Sequence, residues 1–299
     1  LSGIAKDLNK MSAKSAIKLL VAQDAQTQLF RWVALLTGSK NTLKGVGFFL
    51  GGVLLSLFGF TGAVLAMFAM LSTVWLLSLI TLQGDLGRVK NKPKFKELFA
   101  KSAAINWLSA ARLFLFGARD VWFVVALPVY LASTLAWSHW SVGAFMASWV
   151  IGYGVVQSIA PYITGRSKKV PVSSEGATKL SHISMFWSAL LACIPALIAI
   201  ALAGGFYPQY SLVLGLLVFG AVFAINSSLH SYLIVRYASA DGVSMDVGFY
   251  YTANALGRLI GTVLSGAVFQ FYGLVACLWV SAIFLGLVVV LCSKLPENS

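Results

Sequence analysis

Charged side chains inside long apolar stretches are the first candidates for chemistry in this sequence. Arg112, Arg119 and Asp120 interrupt one such stretch, and Arg258 lies at the centre of another. A charge at the centre of a membrane helix costs about 2.5–3.5 kcal/mol on insertion scales. Because Asp120 directly follows Arg119, the two side chains should not face each other on a helix. We therefore expect Asp120 to pair with a basic residue of another helix, either to fix helix packing or to serve in substrate and proton binding.

Two pairs of lysines near the start of the chain have a spacing that places each pair on one helix face. Lys6 and Lys10 are four residues apart, as are Lys40 and Lys44. A solvated helix or a patch that binds anionic lipids would also explain the first pair. A span that begins only after Lys44 would place the second pair at the membrane interface instead.

Polar residues near the middle of two later stretches extend the set of candidates. Asn254 and Tyr251 precede Arg258 by four and seven residues, so they share its side of a helix. A buried guanidinium beside an amide and a phenol would form a fork for an oxyanion. His230 could titrate near neutral pH, or it could be a core histidine that bonds a neighbouring helix.

Positive charge exceeds negative charge among these buried candidates. Only Asp7 and Asp120 oppose seven cations at membrane depth. A purely structural set should be close to neutral, because unpaired buried charge is costly. The surplus predicts an anionic substrate and makes Asp120 and His230 candidates for coupling or gating. The predicted substrate-binding residues are Arg112, Arg119, Arg258, Lys40, Lys44, Lys6, Lys10, Asn254 and Tyr251.

The composition shows which elements must position these residues. The chain has 299 residues, of which 59% are hydrophobic and 10% are charged, whereas about 25% of residues are charged in a soluble domain. This excludes a soluble enzyme, and the clustering of charges in a few segments excludes a nucleic-acid-binding domain despite the net charge of +13. Charges are absent from the stretches 45–84, 121–165, 180–235 and 259–293.

Since a membrane helix needs about 20 apolar residues, the sequence predicts an all-α, polytopic transmembrane bundle. We expect about eight complete spans and a partial one at the start. Lys and Arg cluster on alternate connections, such as 85–101, which places those connections and the C-terminus in the cytoplasm. The predicted complete spans are 28–57, 61–83, 104–131, 141–164, 181–204, 210–237, 246–271 and 273–293.

The basic segment 84–102 divides the chain in two. Six spans follow it, as in the second half of a transporter built from two six-helix halves. We therefore assign 1–83 to the remainder of an N-terminal half, 84–102 to a cytoplasmic linker and 103–299 to the C-terminal half. The opening inside a charged helix, without an initiating Met, suggests a truncated chain.

Small residues and cysteines carry weaker signals. Gly47 and Gly51, like Gly257 and Gly261, have the spacing of close helix–helix contacts, and Gly266 extends the second set. The three cysteines lie far apart in apolar runs, without metal-ligand or redox spacing. We expect neither a metal nor a cofactor.

Several strings of residues resemble a known transporter family. The two halves with a basic central loop resemble the major facilitator superfamily, and Gly47–Gly52 resembles its antiporter motif, with Phe48 in place of proline. Residues 1–18, 37–52, 109–121 and 149–157 resemble the ArsJ-type organoarsenical efflux permeases. The resemblance implies that residue 1 falls within the fourth helix.

The same resemblance implies export of 1-arseno-3-phosphoglycerate from the cytoplasm across a bacterial inner membrane, which confers arsenate resistance. It also implies a functional link to a glyceraldehyde-3-phosphate dehydrogenase, which makes this substrate. Apart from the lipid bilayer and this small anion we expect no partner, no nucleic acid and a monomeric state.

Two other functions remain open from the residues. One is a permease for another small phosphorylated organic anion. The other is an integral membrane enzyme, which should carry clustered carboxylates or a metal site. Because Asp24, Glu97, Glu175 and Glu297 stand alone outside the spans, we expect no enzyme.

Overall fold

The structure is a computed structural model that describes residues 17, 26–81, 102–165, 175–238 and 243–296. Every described element is an α-helix, so the predicted all-α fold is confirmed for this part of the chain. Lys6, Lys10, Asp7 and nearly all of the basic linker 84–102 lie outside the described residues. The helices are α1 (Gln26–Thr81), α2 (Ala103–Phe123), α3 (Ala126–Ser133), α4 (His139–Ile163), α5 (Glu175–Ala203), α6 (Pro208–Tyr237) and α7 (Val243–Cys292).

The described residues form six helices that are long and apolar enough to cross a membrane, with α2 and α3 counted together. The predicted eight complete spans are therefore not confirmed. Two of the six helices are unusually long, since α1 has 56 residues and α7 has 50. Each is interrupted by a glycine with non-helical backbone angles, Gly59 (φ 63°, ψ −177°) and Gly273 (φ 74°, ψ −175°). Glycine adopts such angles without the steric cost of a Cβ.

The junction between α2 and α3 is stabilised by a side chain of α7. The helix is interrupted at residues 124 and 125, and the Ser265 hydroxyl accepts hydrogen bonds from the backbone N–H groups of Val125 (3.2 Å) and Ala126 (3.1 Å). Ser265 is fully buried. Backbone donors in an apolar environment need such partners, so the broken helix can remain inside the bundle.

The contact between α2 and α7 is unusually close because glycines line it. A Cβ added at Gly257 would overlap the carbonyl oxygen of Leu113, and one added at Gly261 would lie 2.6 Å from the carbonyl oxygen of Gly117. This confirms close helix contact at Gly257 and Gly261. Since Leu113 pairs with Gly257 and Gly117 pairs with Gly261, the two helices run parallel.

The other glycines predicted to make such contacts do not make them here. Among the described residues nothing lies within 4 Å of a Cβ added at Gly47, Gly51 or Gly266. The α1–α4 contact uses different glycines: a Cβ at Gly154 would lie 2.7 Å from the Gly38 carbonyl oxygen, and one at Gly45 would lie 3.0 Å from that of Ala147.

The core of the bundle lies around α6, most of which is buried. Trp122 of α2 packs edge-on against Phe219 of α6, with ring centroids 5.0 Å apart. Trp149 of α4 donates a hydrogen bond from Nε1 to the carbonyl oxygen of Leu216 (2.8 Å). These aromatic contacts fix α2 and α4 against the central helix.

We predict that Gly257→Ala lowers the stability of the protein. The added methyl group would overlap the Leu113 backbone, and overpacking of this kind costs about 1–3 kcal/mol. Gly266→Ala is the matched control, since its methyl group would meet open space. Thermal unfolding in detergent should show a lower midpoint for Gly257→Ala only. Equal midpoints in the two variants would show that the α2–α7 contact is not tight.

Candidate anion-binding site

A buried carboxylate between two guanidinium groups forms one end of the site. Asp120 lies on α2 and its side chain is fully buried. Its Oδ1 accepts a hydrogen bond from Nε of Arg119 (2.7 Å), and its Oδ2 accepts one from Nε of Arg258 on α7 (2.8 Å). The predicted partner on another helix is thus confirmed as Arg258. The expectation that Arg119 could not reach its neighbour is wrong, because a long arginine side chain can turn back along the helix.

The glycine contact explains why Arg258 reaches Asp120. Arg258 directly follows Gly257, where α7 meets the backbone of α2. A Cβ added at Gly261 would lie only 3.1 Å from Cβ of Asp120. The side chain of Arg258 remains 46% exposed while its Nε donates to the buried carboxylate.

Arg112 forms the other end of the site, with uncharged partners. The residue is 3% exposed. Its Nε donates to Oδ1 of Asn254 (3.1 Å), and its Nη1 donates to the hydroxyl (3.1 Å) and the carbonyl oxygen (3.2 Å) of Ser227. The guanidinium carbon also lies 4.0 Å from the ring centroid of Phe116. These contacts hold the cation in place without neutralising its charge.

Phe116 connects the two ends. The guanidinium carbon of Arg119 lies 4.8 Å from the same ring centroid that Arg112 contacts, because the two arginines are seven residues apart on α2. Arg112, Arg119, Asp120 and Arg258 make up what we call the arginine cluster. Its three cations and one anion leave a net charge of +2. Since the desolvation of buried cations is costly, a bound anion would stabilise this arrangement.

A chain of amides extends from Ser227 to α1. Nε2 of Gln157 on α4 donates to the Ser227 hydroxyl (3.1 Å), and Nδ2 of Asn41 on α1 donates to Oε1 of Gln157 (2.6 Å). Five helices are therefore linked by hydrogen bonds that end at Arg112. Gln157 was not among the predicted site residues, although a single amide inside an apolar span was a usable signal.

The expected fork of Arg258 with Asn254 and Tyr251 is not what the structure contains. The side-chain oxygen of Asn254 bonds to Arg112 instead, and the hydrogen-bond partner of Arg258 is Asp120. Tyr251 is partly buried and packs edge-on against Tyr250, with ring centroids 5.7 Å apart.

The described members of the remaining predicted set are two lysines of α1 and one histidine of α6. Lys40 and Lys44 are exposed on α1, on either side of Asn41 along the chain. His230 is fully buried in α6, and its Nε2 lies 3.7 Å from Sγ of Cys292 on α7. Lys6 and Lys10 lie outside the described residues.

The part of the chain that the structure describes contains no group of three or more His, Cys, Asp and Glu side chains that could hold a metal ion. The ligands that the described site offers are guanidinium, amide and hydroxyl groups. These groups donate hydrogen bonds to oxyanions.

No protein-family model matches the chain, and no curated protein sequence matches it. Solved structures do match. The chain is similar to the crystal structure of a bacterial homologue of the iron transporter ferroportin in its outward-facing state, with 17% identity, a TM-score of 0.65 and coverage of 93% of this chain and 66% of that one. The same homologue soaked with iron gives 17% identity, a TM-score of 0.65 and coverage of 93% and 65%.

The crystal structure of the human organic anion transporter MFSD10 (TETRAN) is also similar, with 17% identity, a TM-score of 0.67 and coverage of 93% of this chain and 66% of that one. The chain shares its fold with these three structures. It spans 65–66% of the length of these three chains. Together with the six apolar helices, this fold makes the chain a multi-pass membrane protein.

We predict a stabilising coupling between Asp120 and Arg258. Asp120→Asn leaves two guanidinium groups beside a neutral amide and should destabilise the protein. Additional Arg258→Gln should recover part of the loss, since it removes one of those cations. Denaturant unfolding in detergent of both single variants and the double variant should give a coupling energy of about 0.5–3 kcal/mol. Additive effects of the two changes would contradict the ion pair.

Proposed function

We propose that this protein is a permease that exports an anionic organoarsenical, 1-arseno-3-phosphoglycerate, from the cytoplasm by alternating access. The observation that carries the proposal is the arginine cluster, with its net charge of +2 inside a bundle of apolar helices. Because buried unpaired charge is costly, a bound anion would stabilise such a cluster. Export of this substrate across a bacterial inner membrane would confer resistance to arsenate.

The chemistry of the substrate suits the cluster. Phosphate and arsenate groups are tetrahedral oxyanions, and the planar guanidinium group binds two oxygens of such an anion at once. Arg258 is partly exposed and Arg112 is buried, so the two arginines offer an accessible and a deep contact. Arg119 remains paired with Asp120 and adds positive charge near the other two arginines.

One of the similar structures agrees with anion transport better than the other. MFSD10 is an organic anion transporter, which agrees with a site of arginines and amides. The bacterial structure is that of a homologue of the iron transporter ferroportin, yet the described residues here include no group of three or more metal-ligand side chains. The choice of the arsenical over other anions rests on the sequence resemblance to the ArsJ-type permeases.

We also propose that α1 and α7 each cross the membrane twice, turning at Gly59 and Gly273. A continuous helix of 50 residues would be about 75 Å long, whereas the apolar core of a bilayer is about 30 Å thick. Two crossings from each helix give eight in the described chain. The linker 84–102 and the C-terminus then lie in the cytoplasm, as the distribution of Lys and Arg predicts.

Two other functions have less support. A permease for another phosphorylated organic anion would use the same cluster, so only transport measurements separate it from the first proposal. An enzyme has less support, because the arginine cluster contains a single carboxylate, and that carboxylate is paired with two guanidinium groups.

We predict uptake of the arsenical by everted membrane vesicles that contain the protein as its gene encodes it. The arsenical is to be generated from arsenate by glyceraldehyde-3-phosphate dehydrogenase. Uptake should exceed that of arsenate or 3-phosphoglycerate, and vesicles with Arg112→Gln should lose it. Uptake of 3-phosphoglycerate alone would instead identify a permease for organic phosphates, and uptake of neither would contradict anion export.

Asp120 is our candidate for coupling. An anion that binds Arg258 would compete with the carboxylate, which could then accept a proton. We therefore predict that Asp120→Asn vesicles no longer respond to an imposed proton gradient, while they retain binding of the anion. Gradient-dependent uptake equal to that of the unmodified protein would remove Asp120 from the coupling step. His230→Gln serves as the comparison for the second coupling candidate.

A further inference from the structure

Three buried hydroxyl groups lie one helical turn from Arg112 or from the two residues that accept its hydrogen bonds. Ser109 precedes Arg112 by three residues on α2, Ser231 follows Ser227 by four on α6, and Tyr250 precedes Asn254 by four on α7. Residues three or four apart share a helix face. We call Ser109, Ser231 and Tyr250 the hydroxyl layer.

The members of the hydroxyl layer lie toward the same end of the bundle. The contacts at Gly257 and Gly261 show that α2 and α7 run parallel, so Ser109 and Tyr250 are both displaced toward the helix starts. Only residues 238–242 separate α6 from α7, so the end of α6 and the start of α7 lie on one side. Ser231 is displaced toward that end. The Tyr250 ring centroid is 5.0 Å from the guanidinium carbon of Arg112.

All three hydroxyl groups are buried, and none has a hydrogen-bond partner outside the hydroxyl layer among the described residues, where the Ser231 and Tyr250 hydroxyls lie within reach of each other. Ser109 is 2% exposed, and Ser231 and Tyr250 are fully buried. Roughly 90% or more of buried polar groups in proteins are paired, and each exception calls for an explanation. A ligand that accepts hydrogen bonds beside Arg112 would give all three hydroxyl groups of the layer a partner.

We infer that the hydroxyl layer and Arg112 form one binding site for an oxyanion, in which the hydroxyl groups donate to its oxygens and Arg112 supplies the opposite charge. This inference rests on the proposed function and adds three binding residues to it. A phosphate, arsenate or carboxylate group has several acceptor oxygens, so it can accept from the guanidinium and from the hydroxyl groups together. The amides of Gln157 and Asn254 are already engaged and only position Arg112 and Ser227.

A structural role and a binding role predict different stabilities. A hydroxyl with a structural partner stabilises the protein, so its removal lowers the midpoint of thermal unfolding, whereas a buried hydroxyl left for a ligand destabilises the ligand-free protein, so its removal is neutral or stabilising. The double variant Tyr250→Phe/Ser231→Ala, which removes both members of the interacting pair, should therefore leave the ligand-free midpoint unchanged or raise it. If the hydroxyl groups bind the anion, the same changes must weaken binding without loss of stability.

The test uses the purified protein as its gene encodes it, in detergent, with 3-phosphoglycerate and inorganic phosphate as probes. Thermal midpoints measured over a range of anion concentrations give the affinities. We expect Tyr250→Phe and Ser231→Ala each to weaken anion binding about five- to tenfold, as for the loss of one hydrogen bond. The double variant should weaken it further. Ser281→Ala is the matched control, since Ser281 is also buried and unpartnered among the described residues but follows the break at Gly273.

Each outcome decides the inference. Unchanged affinity in both variants would overturn it and leave the arginine cluster as the proposed site. Weaker binding with a lower ligand-free midpoint would also overturn it, because the hydroxyl groups would then have structural partners. If neither anion stabilises the unmodified protein, the inference fails as well, and the proposed function is judged separately by uptake of the arsenical into vesicles.

Discussion

The close contact between α2 and α7 determines where the charges of this protein lie. Without side chains at Gly257 and Gly261, the two helices approach until their backbones touch. This proximity brings Arg258 to Asp120. It also lets Asn254, one turn earlier on α7, accept a hydrogen bond from Arg112. A wider contact would separate each of these pairs, so the ion pair and the hydrogen bond both depend on the two glycines.

The two ends of the arginine cluster solve the problem of buried charge differently. At one end Asp120 neutralises one charge of the Arg119–Arg258 pair and leaves the other. At the other end Ser227 and Asn254 orient Arg112 with neutral dipoles. A carboxylate beside Arg112 would stabilise the empty protein better, but it would compete with an anion for the same guanidinium. Neutral partners keep the positive charge available, which is what an anion-binding site requires.

The sequence predicted much of this arrangement, and the limits have a physical cause. Stretches without charge locate apolar helices, and Arg112, Asp120 and Arg258 are conspicuous because so few charges interrupt those stretches. Which residues meet across helices depends on rotation and depth, which composition does not contain. Asn254 was therefore assigned to the wrong arginine. Gln157 was missed because its importance arises only from the helices on either side of it.

The contacts that stabilise the bundle and those that destabilise it lie in different places, and the destabilising ones lie at the candidate site. Packing of Trp122, Phe219 and Trp149 around α6 and the close glycine contacts stabilise the fold. Surplus positive charge and buried hydroxyl groups that have no full hydrogen bond among the described residues destabilise it near Arg112. Both destabilising features are of the kind that an oxyanion relieves, since it supplies negative charge and hydrogen-bond acceptors together. Because stability is lost where a ligand would restore it, the binding energy of an anion would act on the contacts among α2, α6 and α7.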